Sequence, residues 1–225
     1  VELILNPGCD LKSSQTAVEL AERFPFAYAA VGVHPEECAD WDAEHDIPAL
    51  EALAQNPKVR AIGEIGLDYH WPENPPRELQ QQAFHAQLEL AEKLDLPVIV
   101  HDRDAHHDCL DIVRAHPNVT GVYHCYSGGV EDAKTLMKLG WMISFTGSIT
   151  FKNARRALEV IDLLPMDRIM IETDSPYLSP EPFRGRRNDS GRVHLVAEAI
   201  ARRKGLDPEE VARITLENGR RFFRI

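Results

Sequence analysis

Short apolar, β-branched runs alternate along this chain with longer stretches in which apolar residues return every three or four positions. The short runs predict strands at Glu2–Asn6, Ala27–Val33, Val59–Ile65, Pro97–Val100, Val119–Tyr123, Trp141–Phe145 and Arg168–Ile171. Helical spacing is clearest in Arg77–Asp95, where Leu79, Ala83, Ala86, Leu90 and Leu94 form a stripe with Phe84 and Leu88 beside it. The Gln and Glu residues of that segment are expected on the opposite face, and Pro97 follows its stop. Val130–Leu139 reads as a helix closed by Gly140. Asp207-Pro-Glu-Glu210 opens another, with Asp suited to the cap and Pro to the first turn.

Strict alternation of strand and helix implies a parallel sheet covered by helices. Polar residues terminate nearly every strand, as the mouth of a closed barrel requires, whereas an open sheet concentrates its chemistry at one switch point. The expected fold is therefore α/β, a TIM-like (β/α)8 barrel forming a single domain over residues 1–225. Seven strands are counted where a barrel needs eight, and the chain opens on a strand. The expectation is that the first strand and its helix lie upstream of Val1.

The strand endings carry the chemistry. AAVGVHP ends on His34, AIGEIGLDY holds Glu64, LPVIVHDR ends on His101, GVYHCYSGG on His124, and IMIETDSP contains Asp174. In a parallel barrel these termini face one mouth, and imidazoles converging with carboxylates suit a divalent metal. A carboxylate can also bridge two metals, an arrangement fitted to phosphoryl transfer, and Glu64 is the candidate bridge. Set between glycines in an apolar run, its charge would be costly to bury without a metal or cation. Asp174 has a plainer alternative, capping a turn before Pro176.

Arg103, two residues beyond His101, could hold a phosphate oxygen or form a salt bridge with Asp102 or Asp104. Arg184, Arg186 and Arg187 follow the last strand, where barrels often place phosphate-binding loops. His106 and His107 read as the first turn of an exposed helix. His45, His70, His85, His116 and His194 read as surface or packing residues.

Composition narrows the classes. Of 225 residues, 44% are hydrophobic and 27% charged, and the formal charge is −11, so any anionic substrate needs local cations. The four cysteines show no C-x-x-C pairing, and no apolar run approaches a membrane span of ~18 residues. The chain is thus expected to be a reduced, cytoplasmic protein without a membrane association or an obligatory protein partner.

On its motifs, the chain closely resembles the TatD family of metal-dependent deoxyribonucleases. They are GVHP at Gly32–Pro35, GEIGLDY at Gly63–Tyr69, PVIVHDRDA at Pro97–Ala105, HCYSG at His124–Gly128, ETDSPYLSP at Glu172–Pro180 and RGRRN at Arg184–Asn188. The resemblance implies a hydrolase, an exonuclease in type, that cuts phosphodiester bonds in DNA with two divalent ions (Mg, Mn or Zn). It implies that Glu64 bridges the metals, that His101 and His124 serve one and Asp174 the other, and that Asp174 and Glu64 are the catalytic carboxylates. His34, Tyr69, Arg103, Arg184 and Arg187 fall to the substrate. The family's H-x-H motif on the first strand has no counterpart here, and Asp189-Ser190 stands where Glu-Pro is usual, with Ser190 expected to cap the next helix. Two other readings fit the residues: a related metallohydrolase acting on a small amide, lactone or phosphoester, and a catalytically inactive scaffold.

Overall fold

The computed structural model describes residues 1–225, and all seven expected strands are present. They are β1 (Ile4–Pro7), β2 (Ala27–Val31), β3 (Val59–Asp68), β4 (Val98–Arg103), β5 (Gly121–Tyr123), β6 (Met142–Phe145) and β7 (Ile169–Ile171). Helices follow each strand: α1 (Leu11–Arg23), α2 (Ala43–Ala54), α3 (Arg77–Leu94), α4 (His106–Ala115), α5 (Val130–Lys138), α6 (Arg155–Leu163), α7 (Val193–Lys204) and α8 (Pro208–Phe223). Within each unit the strands neighbour one another in chain order. The chain divides into two compact units, one of residues Glu2–Val122 and one of Tyr123–Ile225 with Val1.

In the first unit β1 to β4 pair in parallel. β3 and β4 run three residues further than their apolar stretches, because the ladder continues through Gly66↔His101, Leu67↔Asp102 and Asp68↔Arg103. His101, Asp102 and Arg103, which follow the apolar run Pro97–Val100, therefore belong to the strand, which fixes their directions. Parallel pairing at this point is close. Gly66 has φ +137°, and a Cβ there would lie 2.0 Å from the His101 carbonyl oxygen.

The stripe on α3 differs from the expectation in one respect. Ala83, Phe84, Leu88 and Leu90 are buried as expected, but so are Gln80 and Gln87. Both amides are satisfied by backbone at strand ends, which is what makes their burial tolerable. Gln87 accepts from Val33 N at 2.7 Å and donates to Val33 O at 3.0 Å. Gln80 accepts from Asp68 N at 2.9 Å and donates to Asp68 O at 3.0 Å and Pro75 O at 2.8 Å. Helix α3 thus splints the ends of β2 and β3, which carry His34 and Asp68.

The second unit pairs β6 with β7 and buries Trp141 edge-on against Tyr123, ring centroids 5.4 Å apart. Its helix α8 opens as expected, the Asp207 side chain accepting from Glu209 N at 2.8 Å. The turn after RGRRN is capped by Asp189, accepting from Gly191 N at 3.0 Å, and not by Ser190, which forms the first residue of the short 3-10 helix itself. No helix in either unit is long and apolar enough to cross a membrane, and all four cysteines are free.

Gly66→Ala is expected to cost about 2–4 kcal/mol, because it forces both a strained φ and a clash with the neighbouring strand. Denaturant unfolding checks this, and an unchanged midpoint would contradict the geometry. A second expectation concerns the half-buried pair His85–His116, whose Nδ1 and Nε2 lie 2.8 Å apart. Burial, then the nearby His116, holds His85 below its ordinary value of 6.5, partly countered by Glu89. The unfolded chain takes up that proton more readily, so this stability is present above pH 6.5 and is lost as pH falls through the depressed value. His85→Gln should flatten that part of the acid dependence in thermal melts.

Candidate metal centre

Four residues of the first unit, carried by β3, β4 and the segment just beyond β2, come together. Glu64 Oε1 lies 3.0 Å from His101 Nδ1 and 3.3 Å from His34 Nε2, and one ligand atom from each residue falls within 4.8 Å of the others. The rings of His34 and His101 stand edge to face, centroids 4.4 Å apart. His101 Nε2 faces Asp68 Oδ2 at 2.9 Å, and Asp68 is wholly buried. Two imidazoles and a carboxylate this close, nearly out of solvent, are a donor set of the kind divalent metals take.

The hydrogen bonds separate the roles. His34 caps the turn Pro35–Asp40, its Nδ1 accepting from Glu36 N at 3.2 Å. A neutral imidazole has one lone pair; with Nδ1 so engaged the proton sits on Nε2, and His34 donates to Glu64. His101 faces a carboxylate on both nitrogens. Asp68 can keep one N–H while the other nitrogen serves a metal, the carboxylate–histidine pairing that orients ligands in such sites.

Asp68 is a hub. Besides His101 it accepts from His70 N and from Asn74 Nδ2, each at 2.9 Å. Burial pushes its carboxyl upward, but the bonds from His101 and His70 and the charges of His101 and Arg103 outweigh burial and hold it below the usual value. The sequence reading passed over Asp68. The available signal was spacing, since Glu64, Gly66 and Asp68 alternate along one strand.

In the second unit the pattern recurs. Glu172, just beyond β7, accepts from Cys125 N at 2.7 Å and Ser144 Oγ at 2.8 Å and faces His124 Nδ1 at 3.2 Å. That contact turns the His124 ring through its Nδ1. Glu172 lies inside the ETDSPYLSP motif, and its contacts with Cys125, Ser144 and His124 distinguish it from its neighbours. Asp174 follows at φ 53°, half-buried. Buried Asn188 fixes its loop, donating to Thr173 O at 2.8 Å and Tyr177 O at 2.7 Å. Burial pushes the Cys125 thiol up to about 12, which keeps it protonated and unsuited to nucleophilic attack.

The residues expected at the substrate are placed as follows. Arg103 pairs with neither neighbouring aspartate: Asp102 faces His106 at 2.8 Å and Asp104 faces His70 at 2.7 Å. Its guanidinium instead lies 5.2 Å from the centre of the Trp71 ring. The Tyr69 hydroxyl donates to Asp108 at 2.9 Å and accepts from Gln81, so it is held within the first unit's packing. Arg184 and Arg187 are exposed in the second unit, Arg184 over the Phe151 ring at 4.2 Å.

Asp68→Asn should weaken metal binding by about 10- to 100-fold while leaving every ligand atom in place. Calorimetric titration of the metal-free protein measures this, and an unaltered affinity would show that Asp68 does not orient His101.

Comparison with known proteins places these groups in a context. The family model described as TatD related DNase matches residues 1–224. The chain is 44% identical over 227 residues to the uncharacterized metal-dependent hydrolase YabD of Bacillus subtilis, covering 100% of this chain and 88% of that protein. It is 35% identical over 234 residues to the 3'-5' ssDNA/RNA exonuclease TatD of Salmonella typhimurium, again covering 100% and 88%. Among solved structures, the TatD homologue YJJV of Escherichia coli superimposes with a TM-score of 0.93 at 30% identity, covering 100% of this chain and 87% of that one. The fold is accordingly of the α/β, TIM-like barrel class expected from the sequence.

Proposed function

The chain belongs to the TatD-related DNase family of metal-dependent hydrolases, and on that footing we propose that it cleaves phosphodiester bonds in DNA as a single-strand exonuclease. The observation that carries this reading is the buried Glu64 carboxylate facing two imidazoles through one oxygen. Such a group is expensive to keep in place without a cation to hold. The names of relatives such as the Salmonella exonuclease support the choice of nucleic acid as substrate.

In the first unit Glu64 and His101 would hold a metal, His34 steadies Glu64, and Asp68 keeps the His101 ring in orientation. In the second, His124 and Asp174 would be the metal ligands, with Glu172 fixing the His124 ring. Bound divalent ions (Mg, Mn or Zn) supply Lewis acidity toward the phosphate and ease the deprotonation of water. Asp174 positions the attacking water and accepts its proton. The exposed guanidinium groups of Arg103, Arg184 and Arg187 neutralise phosphate charge, which a chain of net charge −11 must do locally.

Glu64→Ala should reduce metal-dependent cleavage of a single-stranded oligonucleotide to background while the protein stays folded by circular dichroism. Undiminished cleavage in that variant, or hydrolysis of lactones and cyclic amides with none of DNA by the native chain, would overturn the assignment.

A further inference from the structure

The loop beyond β3 carries a feature that the metal groups do not use. Trp71 lies three residues past Asp68 and leaves 44% of its surface exposed. Large aromatic rings are costly to leave in water, and this one is held in a fixed setting. His70 stands edge-on to it, centroids 4.5 Å apart at 83°, and Arg103 approaches it at 5.2 Å. His70 is anchored in turn by Asp104 at 2.7 Å.

The loop is also tied to the metal group. His70 N and Asn74 Nδ2 both bond the Asp68 carboxylate whose other oxygen faces His101, and Asn74 Nδ2 reaches Asp68 O as well. Arg103 is the ladder partner of Asp68 and lies two residues from His101 on the same strand. An exposed indole, a cation beside it and a candidate metal-ligating histidine are therefore carried by two paired strands and the loop that follows one of them.

We propose that Trp71 is a base-stacking platform, the residue by which this protein takes hold of an unpaired nucleobase next to the phosphodiester it cleaves, with Arg103 serving the adjoining phosphate. The inference rests on the nuclease reading above. A tryptophan face accepts any base, so the contact confers preference for single strands over duplex without choosing a sequence. In a duplex both faces of an internal base are already covered by its neighbours. Arg103 gives the platform a local positive charge against the chain's net −11.

The test compares two single-stranded oligonucleotides of equal length, one complete and one abasic at its terminal nucleotides, cleaved by native protein, Trp71→Ala and Trp71→Phe with the same metal. Native protein should favour the complete substrate in kcat/KM by about 10- to 100-fold, the range expected for one stacked base. Trp71→Ala should bring that ratio close to one, chiefly through KM, and Trp71→Phe should restore much of it. Tryptophan fluorescence, quenched by the complete oligonucleotide without added metal and unquenched in Trp71→Ala, reads binding apart from cleavage. A ratio unchanged in Trp71→Ala, or equal losses on both substrates, would overturn the platform and leave the nuclease reading standing. A native protein that cleaves neither oligonucleotide but quenches as expected would overturn the nuclease reading alone.

Discussion

The bond between Asp68 and His101 is the contact on which the organisation of the first unit turns. A fully buried carboxylate is tolerable only if its charge is answered, and here it is answered by an imidazole, a backbone N–H and a side-chain amide. Each of those bonds also does something structural. One orients the ring of His101, a candidate metal ligand, and the other two close the loop that follows β3. Gln80 then holds the Asp68 backbone from helix α3, so the helix, two strands and a loop share one fixed point. Because the partners are mutually dependent, loss of any one leaves another polar group buried without a partner.

The second unit reaches a similar result with different residues. Glu172 takes three donors, from Cys125, Ser144 and His124, and Asn188 ties both ends of the turn that carries Asp174. In both units a carboxylate set behind a histidine fixes how its ring is turned. Metal affinity in such a design depends on residues that never touch the ion.

This also explains where polar residues were misjudged from pattern alone. A helical wheel assigns Gln80 and Gln87 to solvent, because amides on an amphipathic helix are usually outside. They are inside because strand ends present backbone groups with no ladder partner, and an amide can satisfy an N–H and a carbonyl together. Likewise the ladder extends through Asp68 and Arg103, beyond the apolar stretches that marked those strands, since backbone pairing is indifferent to side-chain polarity.

The sequence by itself determined the seven strands, the alternation with helices, and the candidate ligands Glu64, His101, His124 and Asp174 at strand ends. Those features follow from local periodicity and from chemically costly residues in apolar settings, both visible along the chain. Only the tertiary structure decided that His34 steadies Glu64, that Asp68 and Glu172 grip the histidines, and that Arg103 leaves its neighbouring aspartates for Trp71. Each of these is a pairing between residues 30 to 48 positions apart or a choice among several nearby partners. Spacing along a chain names the groups that can bond; distances of about 3 Å, set by the register of paired strands and the helix behind them, select the ones that do.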